Sequence, residues 1–238
     1  MTKPAALRKP DVHSKLAYAT HRHQELMSAL FEAKKAARDP AFLVHTCADI
    51  IATVRECFDY LSKDIIECHI IAGTKNQRIL REQAANNLRA YFPYYDSQVS
   101  RSDSVFHELT TIEPPLYQAL LDFTASIASG APIPDTLFTY KELVDVKDMV
   151  NEKKHDKLIG IVSEADREYL IENDAMKLLL PMKDQKGWSS FAVAPGTQVS
   201  RVTEYRFAHN NQEVGKFCLF ATKATERVIG EFYQAYFA

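Results

Sequence analysis

The sequence predicts a mainly α fold: a helical bundle with a small C-terminal antiparallel β-sheet and a closing helix. Three observations carry that prediction. Only 7 Gly and 10 Pro occur in 238 residues, too few turn-formers for a strand-dense fold and consistent with long helices joined by few connections. The stretch AFLVHTCADIIATVRECFDYLSKDIIECHII (41–71) puts Cys47, Ile50, Ile51, Val54, Cys57, Phe58, Leu61, Ile65 and Cys68 on one face, at about 100° per residue, with Glu56 and Lys63 opposite. After His155 the texture changes to short runs rich in β-branched and aromatic residues, which favour strands.

The elements follow in order. From Val12 to Ala37 a first helix is expected, with Leu16, His23, Leu26 and Leu30 sharing a face. Asp39 and Pro40 interrupt it and open the long second helix, which Gly73 ends. A third helix is read over KNQRILREQAANNLRAYF, with Leu80, Ala84 and Leu88 inward and a basic stripe of Lys75, Arg78, Arg81 and Arg89 outward. The aromatic stretch from Tyr91 to Tyr95 lacks helical periodicity and reads as a loop over the bundle. A fourth helix starts at Pro114 and stops near Gly130; a fifth carries Phe138, Leu143, Val146 and Val150 inward. Strands are expected in DKLIGIVSEA, MKLLLP, SSFAVAP and QVSRVTEYRF, the last with Val199, Arg201, Thr203, Tyr205 and Phe207 on one face, followed by a turn at AHNNQE. The closing helix, KATERVIGEFYQAYF, repeats Val228, Phe232 and Tyr236 every four residues. These elements divide the chain into a flexible N-terminal arm (1–11), a helical bundle (12–155), and a sheet with its helix (156–238) packed on the bundle as one compact unit.

Hydrophobic residues make up 46% of the chain and charged residues 25%, ordinary for a globular protein, and a formal charge of −2 gives no global attraction to nucleic acid or anionic membrane. Any such contact needs a local basic patch. The basic start, MTKPAALRKPDVHSK, leads into no apolar run, so a cytoplasmic protein with no membrane association is expected. Cys47, Cys57 and Cys68 share one helix face and Cys218 stands apart, a pattern of buried reduced thiols. His21 and His23 point about 200° apart on a helix, and no Gly-rich phosphate loop or GxSxG elbow is present. Neither a metal site nor a small-molecule cofactor is expected.

Four landmarks in order, VRECFDYL, YFPYYDS, VNEKKHDKL and YRFAHNNQEVGKFCLFATKATERVIGEF, resemble a group of uncharacterised bacterial proteins with a HEPN-like helical core. Arg55 and Asp59 match the motif of that group's second helix, and Asn151, Lys154 and His155 match its later block. The resemblance spans most of residues 41–238. It implies a homodimer built through long helices, a role in stress or phage defence, and RNA as the partner class. Ribonucleases of the HEPN type pair an Arg with a His several residues on, the one stabilising a charged phosphorane and the other taking the 2′-hydroxyl proton. Here the Arg position is held by Asp148, Met149 or Val150, none of them a cation. A non-catalytic interaction or RNA-binding module is therefore the leading expectation, with Lys75, Arg78, Arg81 and Arg89 as binding residues. The alternatives are a divergent metal-independent ribonuclease using His155 with Asn151 and Lys154, and a structural assembly protein. Arg55 and Asp59 are expected as a structural ion pair four residues apart, with His155 a candidate third member. Arg101 and His107, in RSDSVFH, form a further Arg and His spacing that merits a test.

Overall fold

The computed structural model describes residues 3–88, 91–154, 159–181 and 195–238, with backbone alone at 152–154, 165–167 and 181. The bundle is organised around α2 (Val44–Ile65), which buries Cys47, Ile50, Ile51, Val54, Cys57, Phe58, Leu61 and Ile65 completely. The one-face periodicity read from the sequence is thus the core of the protein, although Cys68 is only half-buried. α1 (Lys9–Ala36), α7 (Tyr140–Lys154) and α8 (Val214–Tyr236) pack around α2. That apolar face is enclosed within the chain, so it is not available to a second copy.

Several boundaries differ from those expected. α1 starts at Lys9, since Pro10 is tolerated in the first turn, where its missing N–H has no partner to lose. The supposed single helix over 41–71 is three pieces: a 3-10 turn (Pro40–Leu43) capped by the Asp39 side chain, α2, and a π-helical segment (Ile66–Ile71). Gly73 follows that segment where a Cβ would meet Ile112 Cγ2 at 2.7 Å. The third helix shortens to α3 (Gln77–Ala84), because Asn86 adopts a left-handed conformation (φ 54°) that Asn accepts more readily than most residues. Its inward residue is Ile79, whereas Leu80 is half-buried and Ala84 exposed. Short helices α4 (Ser97–Ser100) and α5 (Leu109–Ile112), with a 3-10 turn (Val105–Glu108) between them, lead to α6 (Pro114–Ser129), which ends on Gly130 at φ 66° as the sequence suggests. Within α7, Leu143, Val146, Met149 and Val150 face the core.

The sheet has strand order β2-β1-β3 and is antiparallel throughout. β1 (Ile161–Asn173) is longer than its sequence signal; it turns at Asn173–Met176 into β2 (Met176–Pro181) and pairs on its other side with β3 (Gln198–Phe207). The β1–β3 register shifts between Glu164 and Glu168. Alternation along β3 is incomplete: Val199 and Arg201 are exposed, whereas Val202 to Tyr205 are all buried where the strand runs between its sheet neighbour and α1. The expected strand at SSFAVAP lies largely outside the described residues. α8 begins nine residues before the expected Lys223, capped by the Glu213 carboxylate accepting the Lys216 N–H at 2.7 Å.

The arm expected to be flexible is tied down from Lys3. Lys3 donates to the Gln234 carbonyl and the Ala238 N–H to the Pro4 carbonyl, both at 2.8 Å. Arg8 grips the fully buried carboxylate of Asp64 through its backbone N–H and its guanidinium, each at 3.0 Å, and Tyr233 donates to the same carboxylate at 3.1 Å. A buried carboxylate with three donors is compensated for its lost hydration. Cys218, which the sequence leaves isolated, has its thiol hydrogen-bonded to Cys47, and with burial this pushes its ionisation up.

Candidate functional site

Two of the four sequence landmarks, VRECFDYL and YFPYYDS, converge between α2 and α7. Arg55 and Asp59 occupy successive turns of α2, so their side chains meet, and they form an ion pair. Arg55 is largely buried, its guanidinium 5.4 Å from the centre of the Tyr94 ring, a cation–π geometry. From α7, Lys147 approaches the same ring at 5.7 Å and the Tyr95 ring at 4.5 Å, donates to the Tyr95 hydroxyl at 2.8 Å and pairs with Asp148 at 3.0 Å. Tyr94 is therefore clamped between two cations from different helices. Below it lies an aromatic floor: Phe92 stands 5.1 Å from both Phe58 and Phe123, and 5.9 Å from Phe232.

The chemistry available there is limited by pairing. Each cation has its carboxylate, Arg55 with Asp59 and Lys147 with Asp148. The Tyr94 hydroxyl is buried without a hydrogen-bond partner. Burial raises its ionisation well above the ordinary phenol value, with Arg55 opposing and Asp59 and Asp148 adding to the rise, so it is a neutral phenol at physiological pH and no base. Asn151 lies one turn beyond Lys147 and is exposed. Lys154 closes α7 with only its backbone described, and His155 lies outside the described residues, as does its proposed meeting with Arg55 and Asp59. Lys147 was missed in the sequence because its partners sit in a loop 52 residues away.

The basic stripe expected on the third helix is redistributed. Lys75 precedes the helix, Asn76 caps it by accepting the Arg78 N–H at 3.1 Å, Arg81 is exposed, and Arg89 lies outside the described residues. Arg78 instead joins a cleft of about 360 Å³ with Tyr91, Gln98, Arg101 and Ser104. It pairs with Glu82 at 3.2 Å and donates to the Asp103 carbonyl at 3.0 Å. Arg101 forks onto the Asp103 carboxylate at 3.0 and 2.7 Å, holding that carboxyl below its ordinary range. Tyr91, 59% exposed, presents a ring at the same cleft. Ser104 orders the far wall, capping its 3-10 turn through the Phe106 N–H at 3.2 Å. The Arg101 and His107 spacing does not form a couple: Arg101 faces this cleft, whereas His107 stacks edge-on against Tyr117 at 6.2 Å.

Among the described residues no helix is long and apolar enough to cross a membrane. No protein-family model, curated protein or solved structure matches the chain.

Proposed function

We propose that this protein is a HEPN-like, non-catalytic module that holds single-stranded RNA in the cleft beside α3. The observation that carries this reading is the convergence of Arg78, Arg101 and the exposed ring of Tyr91 in one open cleft. Such a set supplies both requirements of sequence-tolerant binding, cations for phosphates and an aromatic face for a base. The arginines rest on Glu82 and Asp103 in the free protein. Exposed pairs of this kind are weak because water screens them, so a phosphate exchanges with them at little cost. Gln98 and Ser104 line the cleft with further polar groups, and Arg55 and Lys147 keep the loop that carries Tyr91 fixed on the bundle.

The test is fluorescence anisotropy of a labelled short RNA across a salt series. Retention should weaken with salt, with a log–log slope of about −1.4 for two phosphates on a single strand. Tyr91→Ala should lose about 1–3 kcal/mol of binding, and Arg101→Ala should flatten the salt slope. Binding that ignores both substitutions would remove the cleft from consideration. The same samples, run on a denaturing gel beside His155→Ala, separate binding from the ribonuclease alternative, because cleavage abolished in an equally stable variant would make the protein an enzyme. Neither binding nor cleavage would leave the structural assembly role.

A further inference from the structure

A second cleft, of about 250 Å³, opens on another part of the surface, where α6, the start of α7 and the end of α8 meet. Its walls are aromatic. Phe123 and Phe232 form a buried floor and Tyr140 and Tyr236 half-buried sides. The rings brace one another: Phe123 meets Tyr140 at 5.6 Å and Phe232 at 6.4 Å, both near-perpendicular, and Phe232 meets Tyr236 at 6.1 Å. The Tyr236 hydroxyl donates to the Pro115 carbonyl at 3.2 Å, which fixes that wall.

The charge at this aromatic cleft has one sign. Asp122 and Glu231 line it and no basic side chain does. Gln118 steadies Asp122 with a hydrogen bond at 2.8 Å but leaves its charge intact, and among the described residues Asp122 has no ion pair. Glu231 accepts from Arg227 Nε at 2.7 Å, one turn back along α8, which orients the carboxylate while tempering its charge. Both carboxylates reach the tyrosines: burial first, and then Glu231, raises the Tyr140 phenol against the opposing charge of Arg227, and burial followed by Asp122 and Glu113 raises that of Tyr236.

Each ligand class meets this surface differently. An anion is repelled by two carboxylates. A hard metal ion prefers a close shell of about six or more oxygens, and among the described residues no group of three His, Cys, Asp or Glu side chains comes together here to hold one. A neutral apolar molecule would strip water from the carboxylates without compensation. A small organic cation satisfies both features, its charge attracted by the carboxylates and by the negative faces of the rings, and its alkyl groups covering apolar surface. We propose that this cleft is a binding site for a small organic ammonium ion, independent of RNA binding at the α3 cleft.

The probe is tetramethylammonium chloride, titrated into the full chain at constant ionic strength and followed by calorimetry and amide chemical shifts, with tert-butyl alcohol as the uncharged counterpart. Saturable binding is expected, with shifts confined to α6, the start of α7 and the end of α8, and tert-butyl alcohol at least about tenfold weaker. Asp122→Asn and Tyr140→Leu should each weaken the ammonium several-fold. Asp122 is exposed, so its variant should melt with the parent and keep the comparison clean. No saturable shift, equal binding of the alcohol, or affinity untouched by Asp122→Asn overturns the proposal.

Discussion

Lys34 of α1 and Glu168 of β1 are bonded to each other with both side chains wholly buried, 134 residues apart in sequence. The same ammonium reaches Glu213 at the start of α8 at 3.1 Å. One lysine thus joins the bundle, the sheet and the closing helix, beside the Tyr205 hydroxyl, which donates to the Arg38 carbonyl at 2.6 Å. Removing one partner from a buried ion pair leaves the other uncompensated, at a cost of about 3–5 kcal/mol. Lys34→Ala is therefore expected to lower unfolding free energy by that amount in a urea titration, with the sheet released from the bundle. Wild-type stability in the variant would show that the lysine contributes only packing.

Glu168 gives the protein a pH dependence of unusual sign for a carboxylate. It faces Lys34 from α1, Glu204 from β3 and Glu213 from α8, and burial outweighs Lys34 to hold its carboxyl above the ordinary value. Between the unfolded value and this raised one, the native chain binds more protons than the unfolded chain. The stability tied to Glu168 is then full below the unfolded value and is lost as pH rises through the folded one. Glu168→Gln, which fixes the neutral form, should gain on the parent in melting temperature as pH is raised from mildly acidic to neutral. Parallel curves for the two proteins would refute the shift.

Legibility in the sequence followed the range of the interactions. The core face of α2 was readable because helical periodicity is local, and Gly130 and Pro114 marked the ends of α6 because capping is local too. Long-range couplings were hidden. Nothing near Lys34 announces Glu168, and nothing near Lys147 announces Tyr94, because helix crossing and loop placement decide those meetings. Charge also masked structure: REYLIEN, the second half of β1, carries three charged residues in seven yet pairs with both neighbouring strands. Along α3 the arginines were visible, but the cleft was not, since its other wall comes from the Gln98–Ser104 segment.

Arg55 and Asp59 offer a measurable coupling. An exposed helical pair of this spacing is worth about 0.3–0.5 kcal/mol, but Arg55 has a side chain only 10% exposed and lies against Tyr94. Asp59→Ala is expected to destabilise the fold by about 1–3 kcal/mol, the cost of leaving a largely buried charge without its partner. A double-mutant cycle with Arg55→Ala should give a coupling above the exposed-pair range. A coupling within that range would show that water screens the pair as at an open surface.

Tyr94 supplies the sharpest contrast with its neighbour. Its ring fills the space between Arg55, Lys147 and Phe92, while its hydroxyl is buried and unpartnered. An unsatisfied buried hydroxyl costs about 1–3 kcal/mol, so Tyr94→Phe, which keeps the ring and removes only the oxygen, should leave stability unchanged or raise it by up to about 1 kcal/mol. Tyr94→Ala removes the ring as well and should cost about 3–5 kcal/mol. Thermal melts of the two variants read both effects. A clear loss in Tyr94→Phe would mean that the hydroxyl is bonded in solution, and would turn the space between α2 and α7 from a packed joint into a site that holds a polar guest.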